Sequence, residues 1–344
     1  MVEPAAGLDA HSPVPAIAPR ITLSAWLRRV FASETWVLAL SILYFLVLLP
    51  FAPDLGNLEN LELIVHNMLP LCAVAIGQTL VLLTGGIDLS VTSIIALCSV
   101  GGAWSMTTWG LPGGLDFVVG SFVMLAIGAF VGWLNGMAIT RLSMPPFMVT
   151  LATMMFGSGF AVYLTRSNGI PGLPHSLAVF SQEGIGPIPY ALLVVAPVGI
   201  LCHGFLGKTK AGRWLFAVGA NGRAAQISGV PVKRVTLLAY GLCGVLAALS
   251  AVLYTGRLET GSPVLGQRVF LDVIGATVIG GTSLFGGRGS VLGTVYGVLF
   301  ITLIDNSLNI LGLSNFTILM IKGTVILFAA LGDGLRRRRL GAGR

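Results

Sequence analysis

The stretch GQTLVLLTGGIDLS, at residues 77–90, joins two long apolar runs through a pair of glycines and a carboxylate. The flanking runs cover residues 61–84 and 88–108. Each is close to the ~20 apolar residues that a helix needs to cross a bilayer. A carboxylate at membrane depth is costly unless it is paired, solvated or used to cap a helix. The stretch therefore predicts two membrane-spanning helices separated by a short polar break.

The composition of the whole chain agrees with a membrane protein. Of its 344 residues, 55% are hydrophobic and only 10% are charged, whereas soluble domains carry about 25% charged residues. A transmembrane barrel would alternate apolar and polar residues, but the apolar runs here are continuous. We therefore predict an all-α integral membrane protein with about ten transmembrane helices. The runs lie at 36–52, 61–84, 88–108, 115–140, 146–165, 188–206, 232–255, 269–286, 289–312 and 315–334. The third and eighth runs are rich in glycine, and we expect broken helices there.

The basic residues cluster at one side of this arrangement. Arg28 and Arg29 precede the first run, Arg141 follows the fourth, and four arginines at 336–339 follow the tenth. Six more lie in the loop between the sixth and seventh runs: Lys208, Lys210, Arg213, Arg223, Lys233 and Arg234. Cytoplasmic loops are enriched in Lys and Arg, so an even number of spans with both termini in the cytoplasm is predicted. Arg257 and Arg268 fall outside this rule.

These observations divide the chain into three parts. Residues 1–34 form a predicted cytoplasmic tail, residues 35–334 form the transmembrane domain, and residues 335–344 form a basic cytoplasmic tail. Within the domain, 207–231 is a long cytoplasmic loop. A short motif also recurs, as VLLTGGID at 81–88 and VLYTGRLE at 252–259. The two copies lie five spans apart and must run in opposite directions, which suggests an inverted repeat of the kind found in many transporters.

Polar residues within the apolar runs are the candidates for a translocation path. Asp88 and Ser90 have two possible roles. They either cap the following helix or border the path, together with Gly85 and Gly86. Asp272 is likewise either a helix cap or a carboxylate at the mouth of the pore. The other candidates either form hydrogen bonds between helices or contact substrate: Gln78, Thr84, Asn135, Thr282, Asn306 and Asn309.

The loop at 207–231 contains a predicted short helix. Asn221 can cap a helix that includes Ala224 and Ala225 and that Gly229 ends. Because a small helix with apolar residues in a cytoplasmic loop needs a partner, we predict a docking element there, and a charge at Ala225 should uncouple it. Its residues are Gly219, Asn221, Ala224, Ala225, Ser228 and Gly229.

Three segments together carry a resemblance to a known family. They are TGGIDLSV at 84–91, GRWLFAVGANGRAAQISGV at 212–230 and LDVIGATVIGGTSLFGGRGSVLGT at 271–294, followed by LIDNSLNILG at 303–312. The sequence resembles the permease subunits of bacterial ABC importers for monosaccharides, of the ribose, galactose, xylose and arabinose type. The resemblance covers residues 60–334, with Thr92 where the family usually has glycine.

The resemblance implies a particular assembly in the bacterial inner membrane. Two permease copies would dock onto two cytoplasmic ATP-binding subunits through a coupling helix at about 221–229, and a periplasmic solute-binding protein would supply most of the specificity. The chain itself would be neither an enzyme nor a metal or cofactor protein, because its partners use ATP and magnesium. Its surroundings would be lipid, with no role for nucleic acid.

Other functions compete with a sugar permease. The same machinery could carry a different small polar solute, such as a nucleoside or polyol. A secondary carrier usually buries several ionisable residues, and here the predicted spans offer little beyond Asp88, Asp272 and Asp305. A membrane enzyme would need a metal-ligand spacing or a nucleophile–base pair, and we find neither in the sequence.

Overall fold

The computed structural model describes residues 35–112, 114–267 and 269–341, for residues 333 and 335–341 the backbone alone. The predicted N-terminal tail and the last three residues of the C-terminal tail lie outside this range. The helices are α1 Thr35–Leu48, α2 Leu58–Leu83, α3 Val91–Thr108, α4 Leu115–Arg141, α5 Pro146–Thr165, α6 His175–Gln182, α7 Leu192–Lys208, α8 Lys210–Ile227, α9 Val232–Leu258, α10 Val269–Ile279, α11 Val291–Ile310 and α12 Asn315–Gly341. A 3-10 turn covers Pro53–Gly56, and a hairpin pairs β1 Gly184–Ile185 with β2 Ile188–Pro189.

The predicted fold class, an all-α membrane protein, is confirmed. Within the described residues, seven helices are long and apolar enough to cross a bilayer, and the pair α7–α8, bent by 71°, brings the number to eight. The shorter apolar helices α1 and α10 match the first and eighth predicted runs. α10 has only 11 residues, or ~16 Å of helix, which is half of a bilayer core. The eighth run is therefore broken, as expected from its glycines.

The third run differs from the expectation of a broken helix. α3 is one continuous helix of 18 residues, and the break precedes it, at residues 84–90. Gly85 there has φ +81°, a left-handed conformation that glycine adopts without steric cost. At the other end of the chain, α12 continues through Gly341, so the helix extends into the segment predicted as a basic tail.

Contacts between helix ends define two faces of the bundle. We call one of them the basic face; it holds the ends of α2, α4 and α7 and the starts of α3, α5, α9 and α11. Two hydrogen bonds join these ends: Thr150 of α5 donates to the carbonyl oxygen of Ile87, and the Gly287 N–H donates to that of Leu83. The opposite face holds the other helix ends, where Ile170 pairs with Gly261. The basic residues Arg141, Lys208, Lys210, Arg213, Arg223, Lys233 and Arg234 lie on the basic face, whereas Arg166, just after α5, lies on the opposite face.

The core is built around α2 and α9, which pack against each other; α9 also packs against α3 and α4, and α2 packs against α10 and α11. Every residue of α2 from Leu69 to Leu83 is buried. Gly128 and Gly132 let α4 approach α9 so closely that a β-carbon on Gly128 would collide with the carbonyl oxygen of Gly244. Gly297 makes the same kind of approach from α11 to Ala276 of α10. Small residues at helix contacts are typical of membrane proteins.

The two copies of the repeated motif lie at opposite faces but differ locally. The first copy crosses the end of α2 at Leu83, and the second lies within α9, which continues to Leu258. Gly85 is left-handed, whereas the matching Gly256 is helical. The inverted repeat therefore stays a prediction.

Candidate functional site

A side chain of α2, Gln78, fixes the backbone of the polar break at residues 84–90. Gln78 is fully buried, and its side-chain amide pairs with the main chain of Asp88. In the orientation that satisfies both atoms, the amide nitrogen donates to the carbonyl oxygen of Asp88 and the amide oxygen accepts from its N–H, each at 3.1 Å. A buried amide is expected to find such partners. Gln78 thus fixes the position of the Asp88 backbone.

A chain of four polar side chains, of which three are buried and Thr153 is partly buried, runs from Asp88 to α4 and α5. Ser90 Oγ donates to Asp88 Oδ1 at 2.5 Å, and Asn135 Nδ2 of α4 donates to Ser90 Oγ at 2.8 Å. Thr153 Oγ1 of α5 then donates to Asn135 Oδ1 at 2.7 Å. Three predicted path residues, Asp88, Ser90 and Asn135, therefore meet in one network, and Thr153 is a member that sequence analysis missed. Its only sequence signal was a hydroxyl in an apolar run.

Capping explains only part of the geometry at Asp88. Its Oδ1 accepts from the N–H of Ser90 at 2.9 Å, so the carboxylate closes a local turn before α3. Ser90 occupies the N-cap position but makes no side-chain capping bond. Asp88 Oδ2 and the Tyr240 hydroxyl are both buried without a hydrogen-bond partner among the described residues. Tyr240 reaches this place because Gly86 has no β-carbon, which would collide with the hydroxyl.

The two threonine candidates, Thr84 and Thr282, differ in their hydrogen bonding. Thr84 Oγ1 donates to the carbonyl of Val81 at 2.7 Å, within the same helix end. Thr282 is buried, and its Oγ1 has no hydrogen-bond partner among the described residues. Gly289 lies against it, because a β-carbon there would come within 2.7 Å of Thr282 Oγ1. Thr282 belongs to the glycine-rich segment between α10 and α11.

Asp272 is neither a helix cap nor a free carboxylate. It accepts a bond from Lys322 Nζ of α12 at 2.7 Å, and the same nitrogen lies 2.9 Å from Asp305 Oδ1 of α11. The Lys322 side chain is 8% exposed. Sequence analysis missed Lys322, although a lone lysine in an apolar run is a signal that could have identified it. This triad joins three helices near the opposite face, well away from Asp88.

Asn306 and Asn309 also belong to the opposite face. Asn306 forms a reciprocal amide pair with Asn60 of α2, at 2.8 and 3.0 Å. Asn309 is exposed and donates to the carbonyl of Asp305 in its own helix at 2.7 Å. The predicted path residues therefore fall into two groups, one around Asp88 and one around Asn306 and Asp272, which the structure does not bring together.

The Asp88 network also reaches a large groove between α3, α4 and α5. The groove has a volume of about 810 Å³ and is mostly apolar. Trp104, Phe130, Phe156 and Phe160 line it, and so does Thr153, the last member of the network. The rings of Phe156 and Phe160 stack with centroids 5.7 Å apart. The groove thus offers aromatic surfaces together with the hydroxyl group of Thr153.

α8 consists of two helical segments that meet at Asn221, whose φ of −162° and ψ of 97° are not helical. Asn221 Oδ1 accepts from the N–H of Ala224 at 3.0 Å, which is a side-chain cap on the second segment. That segment ends where Gly229 N–H bonds to Gln226 and Val230 N–H bonds to Ala225, with Gly229 at φ +82°. These two bonds form a Schellman motif.

The exposed surface of this short helix differs from the one expected. Ala225 is only 6% exposed, whereas Ile227 is 82% exposed. Ala224 and Ser228 are exposed as well. Gly219 lies in the first segment and contacts the Leu83 carbonyl oxygen. A partner would therefore meet Ile227, and Ala225 supports the helix from inside.

Among the described residues, no group of three or more His, Cys, Asp or Glu side chains could hold a metal ion. The side chains of Asp88, Ser90, Asn135 and Thr153 are hydrogen-bond donors and acceptors that bond to one another.

Comparison with known proteins gives one consistent result. The family model described as "branched-chain amino acid transport system / permease component" matches residues 60–330. The ribose import permease protein RbsC of Bacillus subtilis (strain 168) is 41% identical over 302 residues, covering 85% of this chain and 90% of the relative. RbsC of Escherichia coli (strain K12) is 33% identical over 90% of this chain and 98% of the relative.

A fructose import permease gives a similar match. FrcC of Rhizobium meliloti is 34% identical over 310 residues, covering 88% of this chain and 84% of the relative. No solved structure matches the chain. With the family match across most of its length and relatives above 30% identity, this chain belongs to the branched-chain amino acid transport system / permease component family.

Proposed function

We propose that this chain is the membrane-spanning permease subunit of an ATP-driven importer and that it moves a monosaccharide by alternating access. The observation that carries the proposal is the similarity to ribose and fructose import permeases along nearly the whole chain. The family description names branched-chain amino acids. An amino acid carries two charges, however, and the Asp88 network offers a single carboxylate among neutral groups. A neutral sugar fits these groups better.

The sugar would pass along the groove between α3, α4 and α5. Sugars have apolar ring faces that pack on aromatic side chains, and their hydroxyls need donors and acceptors. Phe156 and Phe160 are 72% and 41% exposed, which makes their faces accessible. Thr153, which lines the groove, bonds to Asn135, and Asn135 bonds to Ser90. A second permease copy would close the open side.

The ATP-binding subunits would dock on the basic face. Ile227 gives this face an exposed apolar contact, and Arg223 beside it adds positive charge. By the distribution of Lys and Arg, this face would be cytoplasmic in a bacterial inner membrane, with both termini on that side. The solute-binding protein would meet the opposite face. ATP hydrolysis belongs to the partner subunits, so this chain would bind neither ATP nor magnesium.

The second copy would cover two helices that are little buried within one chain, α5 and α12. In the most apolar 18-residue stretch of α12 only 11% of residues are buried, and in α5 22%, against 78% in α2. Both helices expose large apolar side chains, including Phe156 in α5 and Phe316 in α12. Lipid would cover whatever the partner copy leaves free.

The test is uptake of labelled pentoses, hexoses, polyols and nucleosides by cells with and without the gene. We expect gene-dependent uptake of one sugar that stops with vanadate and survives collapse of the proton gradient while ATP is maintained. Uptake of a nucleoside or polyol instead would reassign the solute. Uptake that ignores vanadate and stops with the proton gradient would mean a secondary carrier and overturn the proposal.

A further inference from the structure

Three distant segments of the chain meet main chain to main chain at the basic face. They are the end of α2 at Leu83–Gly85, the first segment of α8 at Gly219–Ala220, and the glycine-rich segment at Gly286–Gly287. The Gly287 N–H donates to the Leu83 carbonyl oxygen at 3.0 Å. We call this contact the glycine junction.

Glycine stands at each contact because no side chain fits there. A β-carbon on Gly219 would collide with the Leu83 carbonyl oxygen and would lie 2.5 Å from the Gly287 nitrogen. A β-carbon on Gly286 would lie 2.8 Å from the Gly85 nitrogen and 3.0 Å from the Gly219 α-carbon. Gly286 and Gly287 also have φ of +87° and +72°, values that glycine tolerates best.

The glycine junction connects the short helix of α8 with two interruptions of the membrane helices. Gly219 lies two residues before Asn221, where the short helix of α8 begins. Gly85 opens the break that leads to Asp88, whose main chain is clamped by Gln78. Gly286 and Gly287 lie in the segment that joins the half-length helix α10 to α11. One contact therefore links the docking helix to both interruptions of the membrane helices.

We infer that the glycine junction transmits movement of α8 to both interruptions during transport, and that Gly219 is the positioning residue on which this transmission depends. The inference rests on the proposed function. Packed protein interiors are nearly incompressible, and here no flexible side chain stands between the three backbones. A displacement of α8 toward the membrane therefore moves the end of α2 and the segment before α11 together. Partner binding at Ile227 is a separate property of the same helix.

The experiment compares Gly219→Ala with Gly241→Ala in the assembled importer. Both changes add one methyl group to a helix, but Gly241 lies in α9, outside the docking helix, and a β-carbon there meets no atom within 4 Å. We expect Gly219→Ala to insert and to bind the ATP-binding subunits like wild type, while solute uptake falls at least tenfold and hydrolysis no longer responds to the solute-binding protein. Gly241→Ala should transport within twofold of wild type.

The outcomes separate this inference from the proposed function. If wild type shows no ATP-dependent uptake, the proposed function fails. If wild type transports and Gly219→Ala transports equally, the junction is not a transmission contact and only this inference fails. Hydrogen exchange of wild type covers the case in which Gly219→Ala does not insert. The peptide around Gly287 should stay protected in the nucleotide-free and ATP-bound assemblies, and loss of protection in either state would overturn the inference.

Discussion

At the scale of single residues, Arg257 illustrates how a charge can serve the backbone of a membrane helix. Pro70 lies inside α2 and has no N–H, so the carbonyl of His66, four residues earlier, loses its helical partner. Arg257 of α9 supplies the missing donor, because its Nη1 donates to His66 O at 3.0 Å and its Nη2 donates to Asn67 Oδ1 at 2.6 Å. These two bonds give a structural reason why Arg257 lies apart from the cluster of basic residues.

We expect Arg257→Leu to destabilise the protein, because it leaves the His66 carbonyl unsatisfied at a cost of about 1–3 kcal/mol. Thermal unfolding of the purified protein in detergent should show a lower midpoint. Adding Pro70→Ala restores an N–H donor within α2 and should recover part of the loss. If Pro70→Ala gives the same change in the presence and absence of Arg257, the two sites are not coupled and this explanation is wrong.

At the scale of elements, α8 shows why burial has to be known before a docking residue is chosen. The sequence pointed to Ala225 as the place where a charge would uncouple the helix from its partner. In the structure Ala225 is buried and Ile227 is exposed, because the kink at Asn221 sets the rotation of the second segment. An aspartate at 225 would disturb the packing of the loop as well as docking, since burying an unpaired charge is costly.

We expect Ile227→Asp to abolish uptake and co-purification of the ATP-binding subunits while the protein still inserts at wild-type levels. Ala225→Asp should instead lower the thermal stability of the permease by itself. Leu311→Asp is the matched control, because Leu311 is an exposed apolar residue at the opposite face. Normal co-purification of the partners with Ile227→Asp would show that the short helix is not their docking site.

The triad of Lys322, Asp272 and Asp305 fastens α10 and α11 to α12, which is otherwise little buried. Two carboxylates share one ammonium, so removal of the lysine leaves two like charges close together. Breaking a buried ion pair by removing one partner typically costs ~3–5 kcal/mol, whereas replacing the pair with apolar groups is often neutral.

We therefore expect Lys322→Met to reduce the amount of folded protein strongly and the double change Lys322→Met with Asp272→Asn to restore part of it. Fluorescence-detected size exclusion of the detergent extract measures both. Lys322→Met at wild-type levels and with wild-type thermal stability would mean that the triad contributes nothing to the packing of α12.

At the scale of the whole molecule, the proposed cytoplasmic location of the basic face can be tested by labelling the two faces separately. Ser228 lies on the basic face and Ser314 on the opposite face, and both are exposed. Of the four native cysteines, Cys72, Cys98 and Cys243 are buried and only Cys202 is partly exposed. Single cysteines can therefore report on the two faces once Cys202 is replaced by serine.

In intact spheroplasts, we expect a membrane-impermeant maleimide to label Ser314→Cys and to leave Ser228→Cys unlabelled. After permeabilisation both should react. The reverse pattern would place the basic face outside and would also contradict the proposed site of ATPase docking. The Cys202→Ser background without an added cysteine should stay unlabelled throughout.

The sequence by itself determined the fold class, the positions of the apolar helices, the break after Leu83 and the local end of the short helix at Gly229. These features depend on residues that are close together in the chain, where apolar length, glycine and capping act directly. Asn135 could be predicted only as a polar candidate, since its partners Ser90 and Thr153 lie on other helices. Only the tertiary structure shows which side chains Asn135 bonds to, that Lys322 pairs with two aspartates, that Ala225 is buried and that the glycine junction forms. Each depends on how separate helices are placed and rotated against one another, and local sequence patterns do not contain that information.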